Sequence, residues 1–156
     1  MAARKPAASR GGTTARQPAN ETYVLDNQAG FILRQVSQRH SVIFAELIGE
    51  DITPTQWAAL AKLHEIGPTS QNLLGRLTAM DAATIKGVVL RLAKRQLVET
   101  RSDPADGRRL IVQLTEQGRQ MARKLTPRAA AITQVTLAPL TADEQVLLVN
   151  ILTKLR

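Results

Sequence analysis

Arg108 and Arg109 follow Asp103 and Asp106 in the run Ser102-Asp103-Pro104-Ala105-Asp106-Gly107-Arg108-Arg109. Ser, Asp, Pro and Gly at that density make a turn. A guanidinium held by a neighbouring carboxylate is oriented before it meets a ligand. Inserted into a DNA minor groove, it meets strong negative potential. A second set of candidates lies in residues 81–94. Asp81 is expected to cap a helix, and Ile85, Val88, Val89 and Leu92 recur at helical spacing as one apolar face. Ala83, Gly87 and Lys94 fall roughly opposite, with Thr84, Lys86 and Arg91 on the flanks. A mid-helix Gly costs about 1 kcal/mol relative to Ala, and it suits a site that something must approach closely. A helix with a small, partly basic outer face fits a DNA major groove, where Thr and Lys reach base edges or phosphates. Ser70, Gln71 and Asn72 begin the preceding short helix and can donate to phosphates; plain capping and solvation explains them equally well.

Catalytic patterns are missing. No P-loop, dinucleotide fingerprint, nucleophile elbow or HExxH is found. Two histidines cannot alone fill a zinc site of three or four ligands. Zero Cys excludes disulfides and thiol chemistry and fits a reducing cytoplasm. No enzyme activity, metal or cofactor is expected. His40 and His64 each sit on an otherwise apolar helical face, and Trp57 shares the face of His64. Taken alone, they read as satisfied core residues.

The elements that must position these residues follow in order. Residues 1–20 read as a disordered basic arm, with Arg4, Lys5, Arg10 and Arg16 and no acid. Formal net charge is +8, which fits a polyanion partner or a merely solubilising surface. No apolar run approaches the roughly 18 residues of a membrane span, and no signal peptide is evident. Residues 21–156 are expected to form one domain. From Tyr23 to about Gly49 the pattern predicts one long helix. Its stripe is Leu25, Ala29, Ile32, Val36, His40, Ile43 and Leu47, widened by Phe31, Leu33, Phe44 and Ile48. Thr53-Pro54-Thr55-Gln56 starts a second helix, whose Trp57, Leu60, Ala61 and His64 share a face. Gly67-Pro68 stops it. Thr69 or Ser70 caps a third helix that turns Leu73, Leu74 and Leu77 inward, and Thr78-Ala79-Met80 is a tight turn. Two strands, over residues 97–101 and 110–114, flank the charged turn. Thr115 caps a helix over 116–137, with Met121, Leu125, Ile132 and Val135 inward and Pro127 inside it. Thr141 and Glu144 form a capping box. The stripe that follows, Leu147, Leu148, Ile151, Leu152 and Leu155, is too apolar for a solvated end. It is expected to pack on the first long helix of another subunit.

The run D-P-A-D-G-R-R, with Leu114-Thr115 and Gly118 after it, resembles the wing of the MarR family of winged helix-turn-helix regulators. Asp106 and Arg108 match its most recognisable pair. The helix before the wing, ending in Leu92 and Leu97-Val98, is similar to that family's recognition helix. The resemblance extends over roughly residues 24–155. Two departures stand out: Gln96 occupies the place where a Gly commonly ends the recognition helix, and Gly87 occupies one where a polar residue is common.

The resemblance implies a mainly α fold: a winged helix-turn-helix with long N- and C-terminal dimerisation helices. Residues 52–115 would be the DNA-binding lobe, and residues 21–50 and 116–156 the dimerisation helices. It implies a homodimer on a palindromic double-stranded operator, in a cytoplasmic, bacterial-type setting with no membrane partner. Ser70, Gln71, Asn72, Ala83, Thr84, Lys86, Gly87, Arg91, Asp106, Arg108 and Arg109 would face DNA. Family members commonly bind small aromatic acids in a crevice between the dimerisation helices and the DNA-binding lobe. Trp57, His40 and His64 are expected to line one such crevice, with Arg34, Ser37 and Arg39 as polar neighbours. Ser70-Gln71-Asn72 and the stretch 78–89 also resemble members that control degradation of nicotinate- or benzoate-type acids. A repressor released by a small aromatic carboxylate is the expected function. The rivals are an architectural DNA-binding protein without an effector and a small-molecule enzyme that uses the histidines.

Overall fold

Side-chain caps decide where the helices begin. In the computed structural model, which describes residues 23–156, Thr53 accepts from the Gln56 N–H and the Gln56 side chain returns the bond to Thr53. That capping box opens helix α2, Pro54–Ile66. A second one, Thr141 with Glu144, opens α6, Ala142–Lys154. Ser70, Asp81 and Thr115 cap α3 (Gln71–Leu77), α4 (Ala82–Lys94) and α5 (Glu116–Leu137). The basic arm expected over residues 1–20 lies outside the described residues.

The long first helix begins later than its apolar pattern predicts. Leu25–Asn27 form a separate 3-10 turn, and α1 spans Ala29–Ile48. Gln28 breaks the run: its backbone is extended and its side-chain amide donates to the Val24 carbonyl at 2.9 Å. That local bond competes with a continuous helix.

Three antiparallel strands make a small sheet in the order β1-β3-β2. β2 (Val98–Ser102) and β3 (Leu110–Leu114) are the expected hairpin, with Thr100 opposite Val112. β1 is only Thr69–Ser70, paired with Val112 and Ile111. It was not expected, because two residues carry no period and its pairing comes from a distant segment.

The core is built from α1 to α5 with β2 and β3. Ile85, Val88, Val89 and Leu92 of α4 are all buried, as their spacing predicts. They meet Leu60 and Leu63 of α2, Leu74 of α3, Val112 and Leu114 of β3, and Ala122 and Leu125 of α5. Truncating such a residue to Ala costs about 2–5 kcal/mol. Leu77 and Val135, expected inside, are exposed. Leu77 is the last residue of the seven-residue α3, which ends before that side chain can turn onto α4. Val135 lies near the end of α5; α1 reaches its backbone carbonyl through Arg39, but its side chain stays outside the core that holds Ile132.

A Schellman motif ends α4: Leu97 N–H donates to the Leu92 carbonyl and Gln96 N–H to that of Ala93. Gln96 adopts the left-handed conformation, φ 58°. The position therefore carries the backbone that usually selects Gly, held here by a residue with a Cβ. Thr115 then clasps this turn. Its hydroxyl donates to the Gln96 carbonyl at 2.6 Å and its N–H to that of Leu97 at 3.2 Å. Gly118 lies so close behind that a Cβ would be driven into the Leu97 carbonyl oxygen. Helix α4 and the start of α5 are thus fastened together.

Candidate nucleic-acid interface and effector crevice

The outer face of α4 is built by what its inner face buries. With Ile85, Val88, Val89 and Leu92 in the core, Ala83, Thr84, Lys86, Leu90, Arg91 and Lys94 are left exposed. Asp81 accepts from the Thr84 N–H at 2.7 Å. The Thr84 backbone and side chain, with a lesser bond from Ala83, hold the Asp81 carboxyl below the ordinary aspartate range. Thr84 is therefore tied to the cap at the start of the helix. Lys86 and Arg91 have no side-chain partner among the described residues.

The wing differs in detail from its expected design. Asp106 Oδ1 accepts from the backbone N–H of Arg108 at 3.1 Å and does not hold its guanidinium. Asp103 Oδ1 accepts from the Ala105 N–H at 2.9 Å. Both are Asx turns: a short carboxylate reaches the N–H two residues on more readily than a long side chain's head. Asp103 N–H donates to the Arg109 carbonyl at 2.9 Å, and Arg109 N–H to that of Asp106 at 2.8 Å, which closes the loop. The carboxylate–guanidinium pair present is Asp103 with Arg109, at 3.9 Å. Arg108 projects from this hydrogen-bonded turn with its guanidinium unpaired among the described residues.

Ser70, Gln71, Asn72, Arg108, Arg109 and Leu110 line one small cavity of about 110 Å³, so the start of α3 and the wing arginines meet. Ser70 itself is buried and its hydroxyl accepts from the Leu73 N–H at 3.3 Å. Its role in this structure is the cap. Gln71 and Asn72 are the more accessible members.

The crevice expected to hold Trp57, His40 and His64 contains only the first two. His40 and Phe44 of α1, Pro54 and Trp57 of α2, and Ala129, Ile132 and Thr133 of α5 line a cavity of about 180 Å³. His64 is exposed and lines a different cavity of about 290 Å³ with Leu63, Gly67, Pro68, Gln113, Leu114 and Arg119. Seven residues return a helix to nearly the same azimuth, but they also advance it about 10 Å along the axis. Trp57 and His64 share a face and not a site. Arg39 is also elsewhere: its guanidinium donates to the Thr136 carbonyl at 2.6 Å and to that of Val135 at 3.3 Å. Arg34 and Ser37 are exposed and do not line the cavity.

The sequence marks Phe44 and Ile132 only as packing residues and gives little to distinguish Thr133, yet all three line the crevice. The one signal at Thr133 is a hydroxyl beside the inward Ile132. No group of three metal-ligating side chains is found among the described residues. No single described helix is long and apolar enough to cross a membrane.

Known proteins share this arrangement. The MarR family model matches residues 52–110, from the end of the α1–α2 loop to the first residue of β3. The HTH-type transcriptional repressor NicR of Pseudomonas putida is 38% identical over 137 residues, 87% of each chain. A Pseudomonas aeruginosa protein described as a probable transcriptional regulator has a crystal structure that superposes with TM-score 0.83. It is 54% identical, and the match covers 85% of this chain and 100% of that one. Bordetella bronchiseptica BpsR, whose DNA binding is regulated by 6-hydroxynicotinic acid, is 38% identical with TM-score 0.78, covering 83% of this chain and 98% of its own. Its helix-turn-helix, its Arg-tipped wing and these relatives together place the chain in the MarR family of winged helix-turn-helix transcriptional regulators.

Proposed function

We propose that the chain is a homodimeric, sequence-specific DNA-binding repressor released by a small aromatic carboxylate. The observation that carries this reading is the position of the Trp57–His40 crevice. It lies where α1 and α5 meet α2, so an occupant touches both the long helices and the DNA-binding lobe. The indole offers a stacking wall, and the His40 ring and Thr133 hydroxyl offer polar contacts to a carboxylate. NicR is a repressor, and the DNA binding of BpsR responds to an aromatic acid. Both facts favour a nicotinate- or benzoate-type ligand here.

Dimerisation is supported by apolar surface left uncovered in one chain. Ile32, Leu33 and Val36 of α1 and Val146, Leu147, Val149, Ile151 and Leu152 of α6 are exposed, and no residue of α6 is buried. Exposed apolar surface on this scale marks an association site. Two recognition helices on one dimer would read half-sites about 34 Å apart. A ligand that binds better to a dimer with a wrong spacing releases DNA by linkage alone.

The test is paired. Hydroxynicotinates, benzoates and hydroxycinnamates are titrated singly while Trp57 fluorescence and operator retention are read together. One compound is expected to change both at the same concentration. Operator release without any change at Trp57 would move the ligand site elsewhere. A uniform coat on genomic fragments, in place of discrete footprints, would favour an architectural protein.

A further inference from the structure

Two helical glycines have a reason inside the fold. A Cβ at Gly75 would meet the Met80 carbonyl oxygen and Ile85 Cγ2 at 3.1 Å. A Cβ at Gly118 has no room at all against Leu97. Gly87, on the outer face of α4, is different. The atoms nearest to a Cβ there are those of the Arg91 guanidinium, with Nη1 at 3.3 Å and Nη2 at 3.6 Å. The core does not need a glycine at 87, and Ala would be the better helix former. The space left by the missing side chain is occupied by Arg91.

Helix geometry explains the contact. Cα–Cβ bonds tilt toward the N-terminus, so a long side chain runs back over the residue four positions earlier. For Arg91 that residue is Gly87. Bare backbone there lets the planar head lie down on the helix surface, about 6 Å nearer the Asp81 end than the Arg91 Cα. The N-terminal part of a recognition helix is the part that meets base edges. An Arg placed late in α4 thereby delivers its donors early, over Gly87. A residue with a side chain at 87 would lift the head off this track.

We infer that Gly87 and Arg91 form one reading unit, in which Gly87 positions the Arg91 guanidinium to meet the O6 and N7 acceptors of an operator guanine. This rests on the DNA-binding reading above. The planar fork suits two parallel acceptors in a way that a Lys ammonium does not. Gly87 contributes no contact of its own; its role is the room it leaves.

The experiment uses the full chain and the duplex that the wild-type protein recovers from a random pool. Affinities are measured for the wild type, Gly87→Gln, Arg91→Ala and the double variant. Each single change is expected to weaken binding about tenfold or more, and the double variant to bind no worse than Arg91→Ala. Replacing operator guanines one at a time by deazaguanine, which lacks the N7 acceptor, should weaken the wild type at one position per half-site. It should leave both single variants indifferent at that position. Should Gly87→Gln lose its melting transition, Gly87→Ala serves in the same cycle. Additive losses, wild-type affinity in the Gly87 variant, or a wild type insensitive to every deazaguanine would overturn the unit and leave the DNA-binding reading standing. A wild-type protein that selects no sequence would overturn both.

Discussion

His40 Nδ1 lies 2.9 Å from the Thr136 hydroxyl, a bond between α1 and α5 beside the crevice that Trp57 lines. The ring is therefore oriented before any ligand arrives. His40→Ala should weaken the aromatic carboxylate by about 1.5 kcal/mol, the value of a hydrogen bond to a charged group. Operator affinity without ligand should be unchanged. Thr136→Val, which releases the ring, should show a smaller loss in the same titration of Trp57 fluorescence. His64→Ala should respond like wild type, because His64 lines another cavity. A loss confined to His64→Ala would refute this placement of the ligand.

Arg108 extends from a turn that Asp103 and Asp106 close through backbone bonds. Arg108→Ala should cost about 1–3 kcal/mol of operator affinity and leave the melting temperature unchanged. Asp106→Ala should weaken operator binding as well, by loosening the turn that aims Arg108. Fluorescence anisotropy on a labelled operator reads both. Wild-type affinity in Arg108→Ala would remove the wing from recognition.

The uncovered faces of α1 and α6 bear on assembly. Val146 is 64% exposed and Leu155 73% in the single chain. Deleting residues 141–156 should leave the matching surface of α1 open and give aggregates or unfolded chains. Sedimentation velocity separates the outcomes. A folded monomer that keeps operator affinity would contradict the dimer.

Backbone conformation yields stability changes of opposite sign. Gln96→Gly relieves a left-handed residue with a Cβ and should raise stability by about 1 kcal/mol. Gly118→Ala forces a methyl into the Leu97 carbonyl and should lower it by about 3 kcal/mol. Gly87→Ala should raise it by about 1 kcal/mol, since nothing in the core opposes it. Urea titration measures all three. A destabilised Gln96→Gly would show that the Gln96 side chain, and not its backbone, matters at the Schellman turn.

Four carboxylates among the described residues lie below their ordinary pKa in the folded chain. Asp81 is held by the Thr84 N–H and side chain, and Glu144 by the Thr141 N–H and hydroxyl. Glu116 is held first by Arg119 and Glu50 by Lys124. A lowered folded pKa means that the stabilisation is complete above the unfolded value, 3.8 for Asp and 4.5 for Glu. It is lost as pH falls through the folded value. Thermal stability should therefore be flat near neutrality with respect to these groups and decline in acid. Glu144→Gln, which keeps a capping partner without the charge, should flatten part of that decline. A variant that tracks wild type throughout would remove this cap from the acid response.

Local order was legible in the sequence wherever one segment supplies both the residues and the physics. The caps at Thr53, Asp81, Thr115 and Thr141 act on N–H groups three residues away, so spacing alone locates them. The buried face of α4 follows from helical period, and its exposed face is what remains. The turn at residues 103–109 follows from Asp, Pro and Gly, and its resemblance to a family wing pointed to the fold. Tertiary structure decided whatever depends on distance along an axis or on a partner far off in the chain. Period places Trp57 and His64 on one azimuth, yet the cavity at the Trp57 end is lined by α1 and by Ala129, Ile132 and Thr133 of α5, and the one at His64 by Arg119 at the other end of α5. Thr69–Ser70 become a strand only because Val112 and Ile111 arrive beside them. Arg39 is drawn away from the crevice by the carbonyls of Val135 and Thr136, nearly a hundred residues later. Periodicity encodes direction around an element and is silent on which neighbour covers which turn; packing supplies that, because burial is settled among all the elements at once.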